Sequence, residues 1–123
     1  MGASDEETRD VFRVASATLW LGNVVFEDVE SADGGDDAAR VAFGDARAAL
    51  KISAKLLGAR PDALEKALTT RTIAVGGDAV TKRLSAAQAR DARDALAKAT
   101  YASLFEWLVR RVNATFADIG STR

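Results

Sequence analysis

The chain has no cysteine and no histidine among its 123 residues. Without cysteine there are no disulfides, no thiolate nucleophile and no sulfur ligands for iron–sulfur or zinc sites. Without histidine the commonest general base, the serine triad and the usual transition-metal ligand are also missing. Chemistry by these residues alone would run on carboxylates, lysines, hydroxyls or backbone amides, a narrow set for an enzyme, and the sequence points to no catalytic residue. Long apolar runs are missing too. Val24-Val25-Phe26 and Trp107-Leu108-Val109 are broken at once by charged residues, far short of the roughly 18–20 apolar residues of a membrane span. Neither sign of charge dominates: 17 basic and 18 acidic residues leave a net charge of −1, without the basic excess of a nucleic-acid binder. The start, Met-Gly-Ala-Ser-Asp-Glu-Glu, lacks the basic and apolar regions of a signal peptide. It carries Glu6 where a myristoylation signal has serine or threonine. The expectation is a cytoplasmic protein that partners neither membrane nor nucleic acid, of a length that suits one compact domain.

What is present reads as a mainly α chain with two small β-hairpins. Ser4 and Glu7 form a capping box opening a helix over 4–21, with Val11, Phe12, Val14, Ala15, Thr18, Leu19 and Leu21 at helical spacing and Gly22 as its stop. Residues 23–43 read as a hairpin, with Val24 and Phe26, or Val25 and Val29, as alternative buried sets. Its tip, Ser31-Ala32-Asp33-Gly34-Gly35-Asp36-Asp37, has no apolar anchor. Helices follow over 45–57, with Ala46, Ala49, Leu50, Ser53, Leu56 and Leu57 on one face, and over 61–69. In the second of these Pro61 suits the first turn and Leu64 and Leu68 point inward. Thr70-Arg71-Thr72-Ile73-Ala74-Val75, the turn at Gly76-Gly77, and a return through Leu84 make a second, exposed hairpin. Ser85 and Gln88 form another capping box, opening a long helix from Ala86 to about Asn113. Its apolar residues fall on two faces, Leu96, Leu104, Trp107 and Leu108 on one and Tyr101, Phe105, Val109 and Val112 on the other. A helix apolar around so much of its circumference is normally buried by several neighbours, and the rest of the chain offers few.

The residues that invite a chemical reading have plainer ones beside it. Glu27, Asp28, Glu30, Asp33, Asp36 and Asp37 are a conceivable oxygen-ligand cation site. They lack the EF-hand spacing and its closing bidentate glutamate, and a solvated loop accounts for them. Gly76-Gly77 belongs to no G-x-x-x-x-G-K-S/T phosphate loop, and a hairpin turn explains it. Arg71, Lys82-Arg83 and Arg110-Arg111 are surface charge or, on the sharper reading, a protein contact. Trp107 and Tyr101 read as core rather than ligand-stacking groups. On these grounds alone the chain is a helix-rich interaction or structural module.

Three segments carry a more specific signal. Ala17-Thr18-Leu19-Trp20-Leu21-Gly22-Asn23-Val24-Val25-Phe26 resembles the A-x-L-H-L-G-N-I/V-x-F segment of myosin motor domains, with Trp20 in place of the family's usual histidine. Leu64-Glu65-Lys66-Ala67-Leu68-Thr69-Thr70-Arg71-Thr72-Ile73 is similar to the family's L-x-x-x-L-T-x-R-x-I/V. Arg93-Asp94-Ala95-Leu96-Ala97-Lys98-Ala99-Thr100-Tyr101, continued by Leu104-Phe105-Glu106-Trp107-Leu108-Val109 and Val112-Asn113, resembles R-D-A-L-A-K-x-x-Y-x-x-L-F-x-W-L-V-x-x-I/V-N. Order and separations fit, and the likeness covers nearly the whole chain.

The resemblance implies a mainly α fragment, with two β-hairpins and a long buried C-terminal helix, of the upper 50-kDa subdomain of the P-loop myosin fold. It implies as partners the actin filament and the rest of the myosin head. The second hairpin, Arg71 to Leu84, corresponds to an actin-contacting loop. Arg71, Lys82 and Arg83 would meet actin's acidic surface, Ile73, Val75 and Val80 would add apolar contact, and Gly76 and Gly77 would form the turn. The first hairpin's tip, about Glu27 to Ala39, corresponds to an actin-proximal loop. Its acidic Glu30, Asp33, Asp36 and Asp37 match an acidic surface less well. The complete family motor binds ATP and magnesium through a P-loop, an N-x-x-S-S-R switch and a D-x-x-G-F-E switch. None of these occurs in the sequence, which ends at Ile119-Gly120-Ser121-Thr122-Arg123. The resemblance therefore implies a motor fragment with no cofactor of its own, inactive alone, in the cytoplasmic cytoskeleton. The alternative is a free-standing helical interaction module with no motor activity.

Overall fold

The computed structural model describes residues 5–30 and 38–121. In chain order they form α1 (Asp5–Leu21), β1 (Phe26–Val29), β2 (Ala38–Val41), α2 (Asp45–Leu57), α3 (Pro61–Thr69), β3 (Thr70–Val75), β4 (Asp78–Arg83) and α4 (Ala86–Ser121). The strands pair as two separate antiparallel hairpins, β1 with β2 and β3 with β4. The architecture is thus mainly α with two small hairpins and a long C-terminal helix. Ser4 and the tip residues 31–37 lie outside the described residues, so the first capping box and Asp33, Asp36 and Asp37 are not placed.

The core forms where short apolar stripes from each element meet. Ala17 and Leu21 end α1 on its buried side. The chain then turns through Asn23 N–H donating to the Trp20 carbonyl (3.0 Å) and Val24 N–H to the Leu21 carbonyl (3.1 Å). This turn chooses between the two sets left open for the first hairpin. Val24 and Phe26 are buried and Val25 is exposed, with Phe26 opposite the buried Val41 across the β1–β2 ladder. α2 adds Ala46, Ala49, Leu50, Ser53 and Ala54, and α3 adds Leu64 and Leu68. Ala86 and Ala89 at the start of α4 close the cluster. Gly58 ends α2 in the left-handed conformation (φ 74°), its N–H directed at the carbonyls of Ala54 and Lys55, the backbone state glycine adopts without a Cβ clash.

Polar groups fix how these elements meet. The Glu65 carboxylate on α3 accepts the Val41 N–H at 2.9 Å through one oxygen and the Arg47 guanidinium at 2.8 Å through the other. One side chain thereby ties β2, α2 and α3. The Ser53 hydroxyl lies within the core with no hydrogen-bond partner among the described residues.

The expected burial of α4 holds for its first turns only. Ala86 and Ala89 are buried, and Ala92, Leu96 and Ala97 pack partly against the core. Beyond them the helix runs past Asn113 to Ser121 with Tyr101 60% and Phe116 66% exposed. α1 behaves similarly: Phe12 and Leu19, which fall at helical spacing with its buried residues, are exposed. The core is too small to use every apolar residue that falls at helical spacing.

Three substitutions separate these contributions in chemical denaturation. Leu50→Ala lowers unfolding free energy by about 2–5 kcal/mol through lost burial and a cavity. Glu65→Ala lowers it by about 1–3 kcal/mol because the Val41 N–H loses its acceptor. Ser53→Ala removes an unsatisfied buried hydroxyl and is neutral or stabilising, by up to about 1 kcal/mol.

Candidate functional site

The second hairpin follows from local chemistry. β3 is rich in β-branched residues, and Gly76 and Gly77 both take positive φ, 58° and 88°. Those angles define a two-residue type I′ turn, whose twist matches that of the paired strands. The register places Arg71 opposite Lys82, Ile73 opposite Val80 and Val75 opposite Asp78. The pairs between them are Thr70 with Arg83, Thr72 with Thr81 and Ala74 with Ala79.

Because side chains alternate between faces of a ladder, these pairs sort into two surfaces. One carries Arg71 and Lys82 at the base, Ile73 and Val80 in the middle, and Val75 and Asp78 beside the turn. The other carries threonine and alanine, with Arg83 at its base. Five of the six side chains singled out from the sequence, Arg71, Ile73, Val75, Val80 and Lys82, therefore share one face. Arg83 lies on the other, so the three cations do not form one cluster. Beyond the half-buried Thr70 every residue of both strands is exposed. Ile73, Val75 and Val80 are 36%, 59% and 49% exposed. Arg71 and Lys82, like charges directly across the ladder, repel each other. Neither has an ion-pair partner among the described residues.

A lone two-stranded hairpin is marginal in water, and this one is held at its base. Leu84, buried just after β4, donates its N–H to the Thr69 carbonyl and accepts the Ala39 N–H from β2, both at 2.9 Å. The second capping box is formed in full: Gln88 N–H donates to the Ser85 hydroxyl (3.2 Å), and Ser85 N–H donates to the Gln88 side-chain oxygen (3.0 Å). Asp28 on β1 accepts the Ala86 N–H at 2.7 Å, placing a carboxylate at the positive end of α4. Arg93, whose side chain is 14% exposed, donates to the Val24 carbonyl at 2.9 Å and pairs with Asp94. The first hairpin thus clasps both the base of the second and the start of α4.

That arrangement reassigns part of the acidic segment. Glu27 pairs with Arg40 across the first hairpin at 2.7 Å, and Asp28 caps α4. Of the lower-weight set only Glu30 is described, and it is exposed. Among the described residues no group of three or more carboxylates is arranged to hold a metal ion, and no helix is long and apolar enough to cross a membrane.

A second surface lies along α4. Tyr101, Phe105, Leu108, Val109, Val112 and Phe116 form an exposed apolar stripe. Beside it α1 and α4 enclose an open groove of about 720 Å³ lined by Val11, Val14, Leu104 and Trp107 among others. Glu7 and Arg111 bridge the two helices at 3.0 Å. Trp107, expected in the core, is half-buried in this groove, and Tyr101 is exposed.

The profile of the myosin head (motor domain) matches residues 1–122. The chain belongs to the myosin head family. It is 45% identical over 108 residues to unconventional myosin IC of Drosophila melanogaster, covering 88% of this chain and 10% of that protein. It is 38% identical over 120 residues to myosin-3 of Arabidopsis thaliana, covering 98% of this chain and 10% of that protein. It is 41% identical over 121 residues to unconventional myosin-VI of Homo sapiens, covering 94% and 9%. The chain spans about a tenth of the length of these myosins.

The turn sets the order of the hairpin's face. Gly77→Val forces a β-branched residue to positive φ and costs about 1–3 kcal/mol. Amide exchange then accelerates along β3 and β4, while the amides of α2 and α3 keep their protection.

Proposed function

We propose that this myosin-head chain is an actin-contacting segment of an ATP-driven motor, and that the contact is the Arg71, Ile73, Val75, Val80 and Lys82 face of the second hairpin. The observation that carries the reading is the segregation on that face: two unpaired cations beside three exposed apolar residues, with Asp78 next to the type I′ turn, in a member of the myosin head family. Cations steer association with an acidic surface, and desolvated apolar side chains slow dissociation. Gly76 and Gly77 shape the tip, and Arg83 lies outside the contact. Glu30 and the acidic tip contribute less, since their charge opposes an acidic partner.

The α4 stripe and the α1–α4 groove are, on this reading, covered by the rest of the myosin head. Exposed apolar area of this extent marks an interaction surface. ATP and magnesium belong to the complete motor and are not bound by these residues, so the chain does not turn over ATP by itself. Its location is the cytoplasmic cytoskeleton. The extent of the bare α4 stripe also favours a second reading, a helical interaction module that docks through α4 without actin.

Cosedimentation with actin filaments separates the two. Replacing Arg71 and Lys82 together by alanine weakens filament binding by about tenfold or more at low ionic strength, whereas Thr72→Ala with Thr81→Ala on the opposite face changes it little. Equal binding by all three proteins removes the hairpin face from the contact and leaves the α4 reading.

A further inference from the structure

Arg83 is excluded from the Arg71–Lys82 face by register, and its actual surroundings point elsewhere. The back of the hairpin's base, β2, α2 and α3 together enclose an open cleft of about 330 Å³. Its ionisable lining is Arg40, Arg47, Lys66 and Arg83 against Asp62 and Glu65. The two carboxylates are already engaged. Glu65 takes the Arg47 guanidinium and the Val41 N–H on its two oxygens, and Asp62 pairs with Arg60. Arg40, which also lines the cleft, gives its Nε to Glu27 at 2.7 Å and lies over the Phe43 ring at 4.7 Å, and its terminal nitrogens have no carboxylate partner among the described residues. Lys66 and Arg83 have no carboxylate partner among the described residues. The Thr69 and Thr70 hydroxyls, which also line the cleft, donate to the Glu65 and Lys66 carbonyls.

We propose that this cleft is a binding site for a compact phosphate-bearing anion, held by Lys66, Arg83 and the free end of the Arg40 guanidinium. Lys66 and Arg83 stand unpaired in a concave space whose Glu65 is already held by Arg47, and charged donors lining one volume suit a phosphate group with several acceptor oxygens. The volume admits a pyrophosphate or a phosphorylated sugar. An extended acidic peptide would instead favour an open basic strip. The site stands on its own observations and does not depend on actin binding.

Titration of the complete 123-residue chain with inorganic pyrophosphate at low ionic strength, followed by NMR, tests it. The expected result is saturable shifts at Lys66, Thr70 and Arg83. Lys66→Gln and Arg83→Gln should each weaken binding by about fivefold or more. Both side chains are exposed, and an unchanged melting temperature confirms that the variants fold. The paired substitution Arg71→Gln with Lys82→Gln removes twice the charge of either single variant, on the other face of the hairpin, and should leave affinity within about twofold. Vesicles carrying a phosphoinositide identify a lipid-borne phosphate if they compete with pyrophosphate, and a soluble one if they do not; both support the site. Absence of saturable binding, equal loss in the Arg71/Lys82 control, or binding of a glutamate-rich peptide but not pyrophosphate overturns it.

Discussion

The contact on which the rest depends is the Asp28 carboxylate against the Ala86 N–H at 2.7 Å, supported by Arg93 on the Val24 carbonyl. The first four N–H groups of a helix have no partner within it. Here the capping box satisfies the Gln88 N–H from within the local sequence, and Asp28 reaches across from another element to satisfy Ala86. This junction fixes where α4 begins relative to the first hairpin. Ala39, on β2, then takes hold of Leu84 at the foot of the second hairpin. The most exposed element of the chain is therefore anchored through backbone and charge-assisted hydrogen bonds to the most buried part of the molecule, although its own strands bury almost nothing.

The same junction explains what the exposed hairpin can carry. A hairpin that contributes little to the core is free to carry residues that the core would reject: an unpaired Arg71–Lys82 pair, three uncovered aliphatic side chains, and a type I′ turn of two glycines. Its two faces differ because of the register alone. One carries two cations and three exposed aliphatic side chains; the other, carrying Arg83, closes one side of a cleft whose remaining walls are β2, α2 and α3. The long helix supplies the third surface. Its first turns lie in the core, and its later turns carry aromatic residues outward, the arrangement of an element that serves a larger body.

Much of the fold is legible locally. Ser85 and Gln88 announce the start of α4, Gly76-Gly77 announces a tight hairpin, and the Leu64–Leu68 spacing gives the inner face of α3. Each of these signals acts over a few residues. The contacts that set the tertiary arrangement are not of that kind. Asp28 reads as one more acid in an acidic segment until a helix 58 residues away is placed beside it, and Glu65 reads as a helical surface residue until Val41 and Arg47 converge on it. Lys82 and Arg83 adjoin in sequence and read as one basic spot, yet in a strand adjacency places them on opposite faces. For α1 and α4, periodicity marks which residues are apolar without saying which of them meet a neighbour within these 123 residues. The resemblance to myosin heads was carried by three short segments, and their anchoring residues, Val24, Leu64 and Arg93 among them, prove to be core or clasp positions.

On this reading the clasp holds the exposed hairpin in a fixed orientation on α4. The absence of native cysteine makes this directly measurable. Spin labels introduced at Ala79→Cys and Ala102→Cys, both exposed positions, report the hairpin-to-helix distance by double electron–electron resonance. A narrow distance distribution is expected, broadening markedly when Asp28→Ala is added, while the β3–β4 pairing itself persists. A distribution that is already broad, or one that Asp28→Ala leaves unchanged, contradicts it.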